Sequence, residues 1–392
     1  MTRRLKLPLT LALVCGLLLA LAPSGAYAAR GMEVAVQDDP AMVQEIEKPG
    51  NRERGLKLAQ GLKARWIRAN VLWSYVVGRS AKKTKEPKKI TYNWTGYDAL
   101  VNEAAGRGIH VELSLSGRAP AYATGNHKIG PDRVKAGPFK RFAQAAAQHF
   151  GSRVTRYSIW NEPNYRGWLA PVSKQATLYR ALYIAGYSAI KAANPAAQVL
   201  IGETSPYGTG RNNRNAQSPL TFLRGVTCAN SRYRRARKCA TLKTDGFAHH
   251  PYDFTHKPTF KYPGKDNVTL ATLGRLTSAL KKLQRAKLLT TPSGGVPFVY
   301  LTEYGYFASG KYRIPESTRG KYLVQAFKIA QKNSRVKQML QFLLIKPPSK
   351  FLFFDTSLAS SSGKPGFAYK SLAAWAKKAA KAGLIAVAKA EH

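Results

Sequence analysis

Acidic residues are scarce in this chain. Its 392 residues hold 20 Asp and Glu against 63 Lys and Arg, a formal net charge of +43. No cluster of acids at metal-binding spacing appears, which argues against a metal-dependent nuclease. Cysteine is rarer still, with three in all and no neighbouring histidines, too few ligands for a zinc site. No G-x-G-x-x-G follows the first apolar run and no phosphate-binding loop occurs, so the usual mark of a nucleotide-binding sheet is missing. Beyond residue 28, no apolar run is long enough to span a bilayer.

What is present begins with a secretory pattern. Arg3, Arg4 and Lys6 form a positive end, residues 7–21 an apolar stretch, and Ala26-Tyr27-Ala28 a small-residue cleavage site. Residues 1–28 therefore read as a signal peptide, with an uncleaved anchor as the rival reading. The expected location is outside the cytoplasm, secreted or held at the cell envelope. Cleavage removes Cys15 and leaves Cys228 and Cys239, which an oxidising compartment favours pairing across a short, arginine-rich loop. The charge speaks to partners rather than to fold. It predicts salt-sensitive attraction to polyanions such as an anionic cell envelope or an acidic polysaccharide, with no specific nucleic-acid partner. Nothing calls for more than a monomer.

The remaining chain alternates two textures. Apolar runs at 31–37, 65–73, 109–116, 153–160, 198–204, 246–252, 297–304 and 339–346 read as buried strands. Between them lie segments of helical periodicity, among them 97–108, 139–151, 175–194 and 318–333. Eight strands alternating with helices predict an α/β fold, a (β/α)8 TIM barrel over 29–376, with an open doubly wound sheet as the alternative. Residues 377–392 read as a basic, Ala/Lys-rich tail.

In such a barrel the working residues sit at the C-terminal ends of strands. Glu162 ends the fourth strand candidate in 157-YSIWNEPNYRGW-168, and Glu303 ends the seventh in 299-VYLTEYGY-306. Two carboxylates across a cleft are what glycoside hydrolysis requires, one to donate a proton and one to stay ionised. Asn161 is placed to bond a sugar 2-hydroxyl. In 248-AHHPYD-253, His250 and Tyr252 point the same way, so that Tyr252 donates to Glu303, while Arg68 supports the same carboxylate from within. His249 reads as a core residue and Trp160 as packing beneath the site. Trp73 and Trp168 offer flat faces for sugar rings.

These motifs resemble the retaining glycoside hydrolases of clan A, the barrel superfamily that includes cellulase-like family five and xylosidase-like family thirty-nine. The resemblance rests on WNEPN, on Thr302-Glu303-Tyr304-Gly305, and on His250 and Tyr252. It implies that Glu162 is the acid/base and Glu303 the nucleophile of a double displacement on an O-glycosidic bond, with no metal or organic cofactor. The sequence departs from the pattern where relatives carry a Trp at the eighth strand end. Here 345-IKPPSKFLFF-354 offers Phe351 or Phe353, and Tyr122 and Tyr306 stand where some relatives have Trp. The alternative function is a non-catalytic glycan- or polyanion-binding protein on a degenerate barrel.

Overall fold

The computed structural model describes residues 31–44, 50–209, 214–348 and 353–387. The expected signal peptide lies outside these residues, as does Phe351. Eight strands form the centre: β1 (Met32–Gln37), β2 (Trp66–Leu72), β3 (His110–Ser116), β4 (Arg156–Ile159), β5 (Gln198–Thr204), β6 (Gly246–His249), β7 (Val299–Leu301) and β8 (Val336–Phe342). Each pairs in parallel with its neighbour, and β8 pairs with β1, so the sheet closes into a barrel. A helix follows every strand: α1 (Asn51–Gly61), α2 (Thr95–Ala105), α3 (Ala136–Phe150), α4 (Gln175–Ala193), α5 (Pro219–Val226), α6 (Leu273–Arg285), α7 (Glu316–Lys332) and α8 (Phe367–Lys381).

Alternation along the strands decides which side chains meet the helices. Ile67, Ala69 and Val71 of β2, and Val111, Leu113 and Leu115 of β3, belong to the main apolar core under the helices. That core is closed by helical faces such as Phe139, Phe142, Ala143 and Ala146 of α3, and Leu273, Leu276, Leu280 and Leu283 of α6. Each fully buried Leu or Phe contributes about 1.5–3 kcal/mol. The alternate residues, Arg68 and Glu112 among them, are buried on the other face of the sheet.

Charge inside a barrel is costly unless it is paired. Near the strand starts Arg156 meets that condition. It reaches Glu33 at 3.0 Å, Gln338 at 2.8 Å and Gln198 at 2.8 Å, and its guanidinium lies 3.6 Å from the Trp66 ring centroid. The barrel interior thus mixes such polar groups with small apolar clusters, Ala35 with Trp66 and Leu340, and Leu200 with Ala248 and Tyr300.

Two boundaries differ from expectation. The eighth strand starts at Val336 rather than 339, because Lys337 and Gln338 interrupt the apolar pattern. Gln338 is drawn inside by Arg156. At the other end, α8 continues past 376 to Lys381, and Ile385 and Ala386 then pair with Met32 and Glu33. The first part of the expected tail therefore belongs to the folded barrel. No helix among the described residues is long and apolar enough to cross a membrane.

Candidate active site

Local backbone chemistry aims the site residues. After β4 the chain turns sharply, with Trp160 at φ 68° and Glu162 at φ 37°. Such left-handed conformations cost free energy for residues other than glycine and cluster where a side chain must be presented. On β5 the pairing with β6 slips between Gly202 and Thr204. This bulge is permitted by glycine: Gly202 has φ +117°, and a Cβ there would sit 2.4 Å from the Ala248 carbonyl oxygen. Its amide donates to the Tyr179 hydroxyl at 2.7 Å. A bulge re-aims the side chain beside it, and Glu203 turns into the barrel.

Five charged side chains meet there. Arg68 Nη1 lies 2.9 Å from Glu303 Oε1, and its Nε and Nη2 each lie 3.2 Å from Glu203. His250 Nε2 reaches Glu203 at 2.7 Å, while Nδ1 lies 3.2 Å from Glu162 and 3.6 Å from Glu303. Tyr252 donates its hydroxyl to Glu303 Oε2 at 3.3 Å. Asn161 Oδ1 accepts from Arg68 Nη2 at 2.8 Å, which turns its NH2 group away as a free donor. Gln37 accepts from Arg68 and donates to Asp39 at 2.5 Å, extending the network under the site.

Burial alone would keep His250 neutral, but Glu303, Glu162 and Glu203 around it raise its pKa to about 10. Burial opposes charge on Glu203 too, yet Arg68 and His250 overcome it and hold that carboxyl at about 2. Glu303 is raised, because burial outweighs the opposing pull of His250 and Arg68. Tyr252, buried beside Glu303 and Glu162, is pushed well above its ordinary value and stays a donor.

Above this layer lies a cavity of about 600 Å³, within the usual size of a ligand pocket. Glu162, Glu303 and Asn161 form its polar end, and Trp168, Tyr207, Tyr252, Phe342 and Phe354 supply aromatic walls.

No family model and no curated sequence matches this chain. Solved structures do. A family 39 glycoside hydrolase from the gut symbiont Bacteroides cellulosilyticus WH2 is similar at a TM-score of 0.62 and 17% identity, over 88% of this chain and 64% of that one. A monomeric beta-xylosidase from Caulobacter crescentus CB15 gives 0.55 and 17%, over 88% and 69%. An exo-beta-1,4-mannosidase from Opitutaceae bacterium strain TAV5 gives 0.56 and 15%, over 91% and 61%. This chain has the (β/α)8 barrel fold of these proteins. Its structural neighbours are the family 39 and family 5 enzymes that the WNEPN resemblance pointed to. It spans roughly two thirds of their length, and at such identities the likeness establishes the fold.

Within this barrel the sequence-predicted residues separate cleanly. Glu162, Glu303, Asn161, Arg68, His250 and Tyr252 converge on one network, and Trp168 lines the cavity. Trp73 does not. β2 ends one residue before it, Trp73 opens a short helix, Trp73–Val76, and its ring joins Ile67, Ala69 and Val71 in the core under the helices. There it stacks on Phe142, with centroids 5.2 Å apart and planes 4° apart, and has no exposed surface. It is a packing residue rather than a sugar platform. His249 is also a core residue: it bonds Thr204 at 2.8 Å and the Val268 carbonyl at 3.0 Å, and burial lowers it to about 3. Cys228 and Cys239 are joined in a disulfide.

Two features are not apparent from the sequence pattern. Glu203 sits in QVLIGET, where an acid after a strand glycine, in a chain so short of acids, is the signal of a bulge presenting a charge. At the eighth strand end, Phe342 and Phe354 occupy the place expected for Phe351 or Phe353. Phe354 packs edge-on against Tyr252 at 5.7 Å and against Phe342 at 5.6 Å, whereas Phe353 is 80% exposed at the rim.

Proposed function

We propose that this chain is an exported retaining glycoside hydrolase. The observation that carries the proposal is the position of His250 Nδ1, within 3.6 Å of both Glu162 and Glu303 beneath an aromatic-walled cavity. Two carboxylates sharing one nitrogen favour the close spacing of about 5 Å used in double displacement over the roughly 9 Å of an inverting pair. Glu303 attacks the anomeric carbon as the glycosidic C–O bond breaks, and Glu162 gives its proton to the departing oxygen. Glu162 then takes a proton from water, whose oxygen attacks the same carbon and releases Glu303. Arg68 and Tyr252 donate to Glu303 and suit its ionised form, while burial strips it of water. The Asn161 NH2 suits the 2-hydroxyl contact that strengthens as the ring becomes cation-like. The Cys228–Cys239 bond accords with an oxidising compartment, and hence with export and a location outside the cytoplasm.

The test is a glycan-panel hydrolysis screen with wild type, Glu303→Ala and Glu162→Gln. Glu303→Ala should abolish turnover of every substrate cleaved. Glu162→Gln should slow natural glycosides far more than activated aryl glycosides, whose leaving group needs no proton. Equal losses on both would overturn the role given to Glu162.

A further inference from the structure

The catalytic cavity does not end at Trp168. On the far side of that ring lies a second hollow of about 420 Å³, formed by the loops that follow β2, β3 and β4. Trp168 lines both spaces, so they adjoin along one wall at the barrel's catalytic mouth. Their chemistry differs. Among the described residues, the charged ones lining the first are the carboxylates Glu162 and Glu303. Those lining the second are Lys82 and Arg118, with no acid among its described walls.

Both cations are exposed, and neither is engaged by an acid among the described residues. Around Lys82 the segment 79-RSAKKTKEPKK-89 carries six cations and one acid. That acid, Glu86, is already held by Arg141 Nε at 2.8 Å. The hollow is a fixed shape rather than a chance gap. Ser74 donates its amide to the Arg118 carbonyl at 3.0 Å, and His127 Nδ1 lies 3.3 Å from the Thr84 carbonyl, so the loops are tied together. Tyr75, 69% exposed on the same rim, adds an aromatic face. Cations beside unfilled aromatic rings are what a carboxylated sugar needs, charge for its carboxylate and a flat surface for its ring.

We infer that the hollow beyond Trp168 is a distal subsite for an acidic sugar, so that the glycan cleaved between Glu162 and Glu303 bears a uronic-acid residue further along its chain. This rests on the glycosidase reading of the adjoining cavity. The net charge then has a local use, drawing a polyanionic glycan toward the mouth.

The experiment uses matched tetrasaccharides from uronic-acid-bearing polysaccharides (glucuronoxylan, alginate and hyaluronan), each beside its carboxyl-reduced neutral twin. Binding is measured by calorimetry on the full Glu162→Gln chain, which spares the ligand. At least one acidic member should bind about tenfold more tightly than its twin, which is what two exposed ion pairs are worth together. Lys82→Ser/Arg118→Ser should erase that difference, and Lys377→Ser/Lys378→Ser, which removes equal charge from α8, should preserve it. Equal binding of every pair, or a preference that survives loss of Lys82 and Arg118, overturns the subsite. Hydrolysis of the same panel by the unsubstituted chain separates the two readings. Cleavage without acidic preference refutes the subsite alone, whereas Lys82- and Arg118-dependent binding without any cleavage refutes the glycosidase and leaves the binding site.

Discussion

Glu203 Oε2 and His250 Nε2 lie 2.7 Å apart, and neither side chain has any surface open to solvent. Through that contact the two carboxylates at the cavity are coupled to a third that does not line it. His250 is charged because of the acids around it, and its other nitrogen faces Glu162 and Glu303. Under the proposed mechanism Glu203 is a positioning residue: it would act on the reaction by fixing the ring and its proton.

Replacing Glu203 with Gln removes one of the acids that raise His250. The imidazolium should then lose its proton at lower pH, which the titration of its ring resonances by NMR reads directly. The rate at the optimum should fall by about 10²-fold, the effect of displacing a reacting group by an ångström. A rate loss with an unmoved His250 titration would show that Glu203 matters only for packing.

The bulge that presents Glu203 can be tested one residue earlier. Gly202→Ala places a methyl group 2.4 Å from the Ala248 carbonyl at a φ of +117°. Straightening the strand to relieve it would turn Glu203 away from Arg68 and His250. Stability should fall by roughly 1–3 kcal/mol, measured by denaturant unfolding, and kcat should fall with it. An active, equally stable variant would mean that the bulge does not depend on glycine.

Much of this architecture is legible in the sequence because one strand face is apolar throughout. That face produces eight apolar runs and hence the barrel. The strand-end position of Glu162 and Glu303 comes from the same count. The features that stay hidden depend on shifts of a single residue. Glu203 faces inward through a register slip, which alternation cannot foresee, since a displacement by one residue exchanges the two faces. Trp73 instead keeps the parity of Ile67, Ala69 and Val71, so its outward place is the one that alternation itself gives. The start of β8 is masked for a related reason, as its inward Gln338 answers Arg156 rather than an apolar neighbour.

Trp73 and Trp168 make a contrasting pair. Trp73→Ala would leave a cavity against Phe142 and Tyr122 and should cost roughly 3–5 kcal/mol. Activity per folded molecule should change little. Trp168→Ala removes a ring that lines both the cavity and the hollow beside it. KM should rise severalfold while the unfolding midpoint stays close to wild type. Measuring midpoint and KM on both variants checks the assignment, and a raised KM in Trp73→Ala with normal stability would restore Trp73 to the sugar path.

The His250 charge also predicts how stability varies with pH. Its pKa is about 10 in the folded chain against 6.5 for a free side chain, so the folded state holds its proton more tightly than the unfolded state. The stabilisation is fully present below about pH 6.5 and fades as the pH climbs from there toward 10. Glu203 behaves in the opposite sense. Its folded pKa of about 2 lies below the ordinary 4.5, so its contribution is present above 4.5 and is lost as the pH falls toward 2. Calorimetric Tm should therefore decline from pH 6.5 to 10 in the wild type. His250→Gln should start lower, and the gap between the two should narrow across that interval. A gap that stays constant would mean that His250 is neutral in the folded protein, and the charge network around Glu162 and Glu303 would need to be redrawn with one cation fewer.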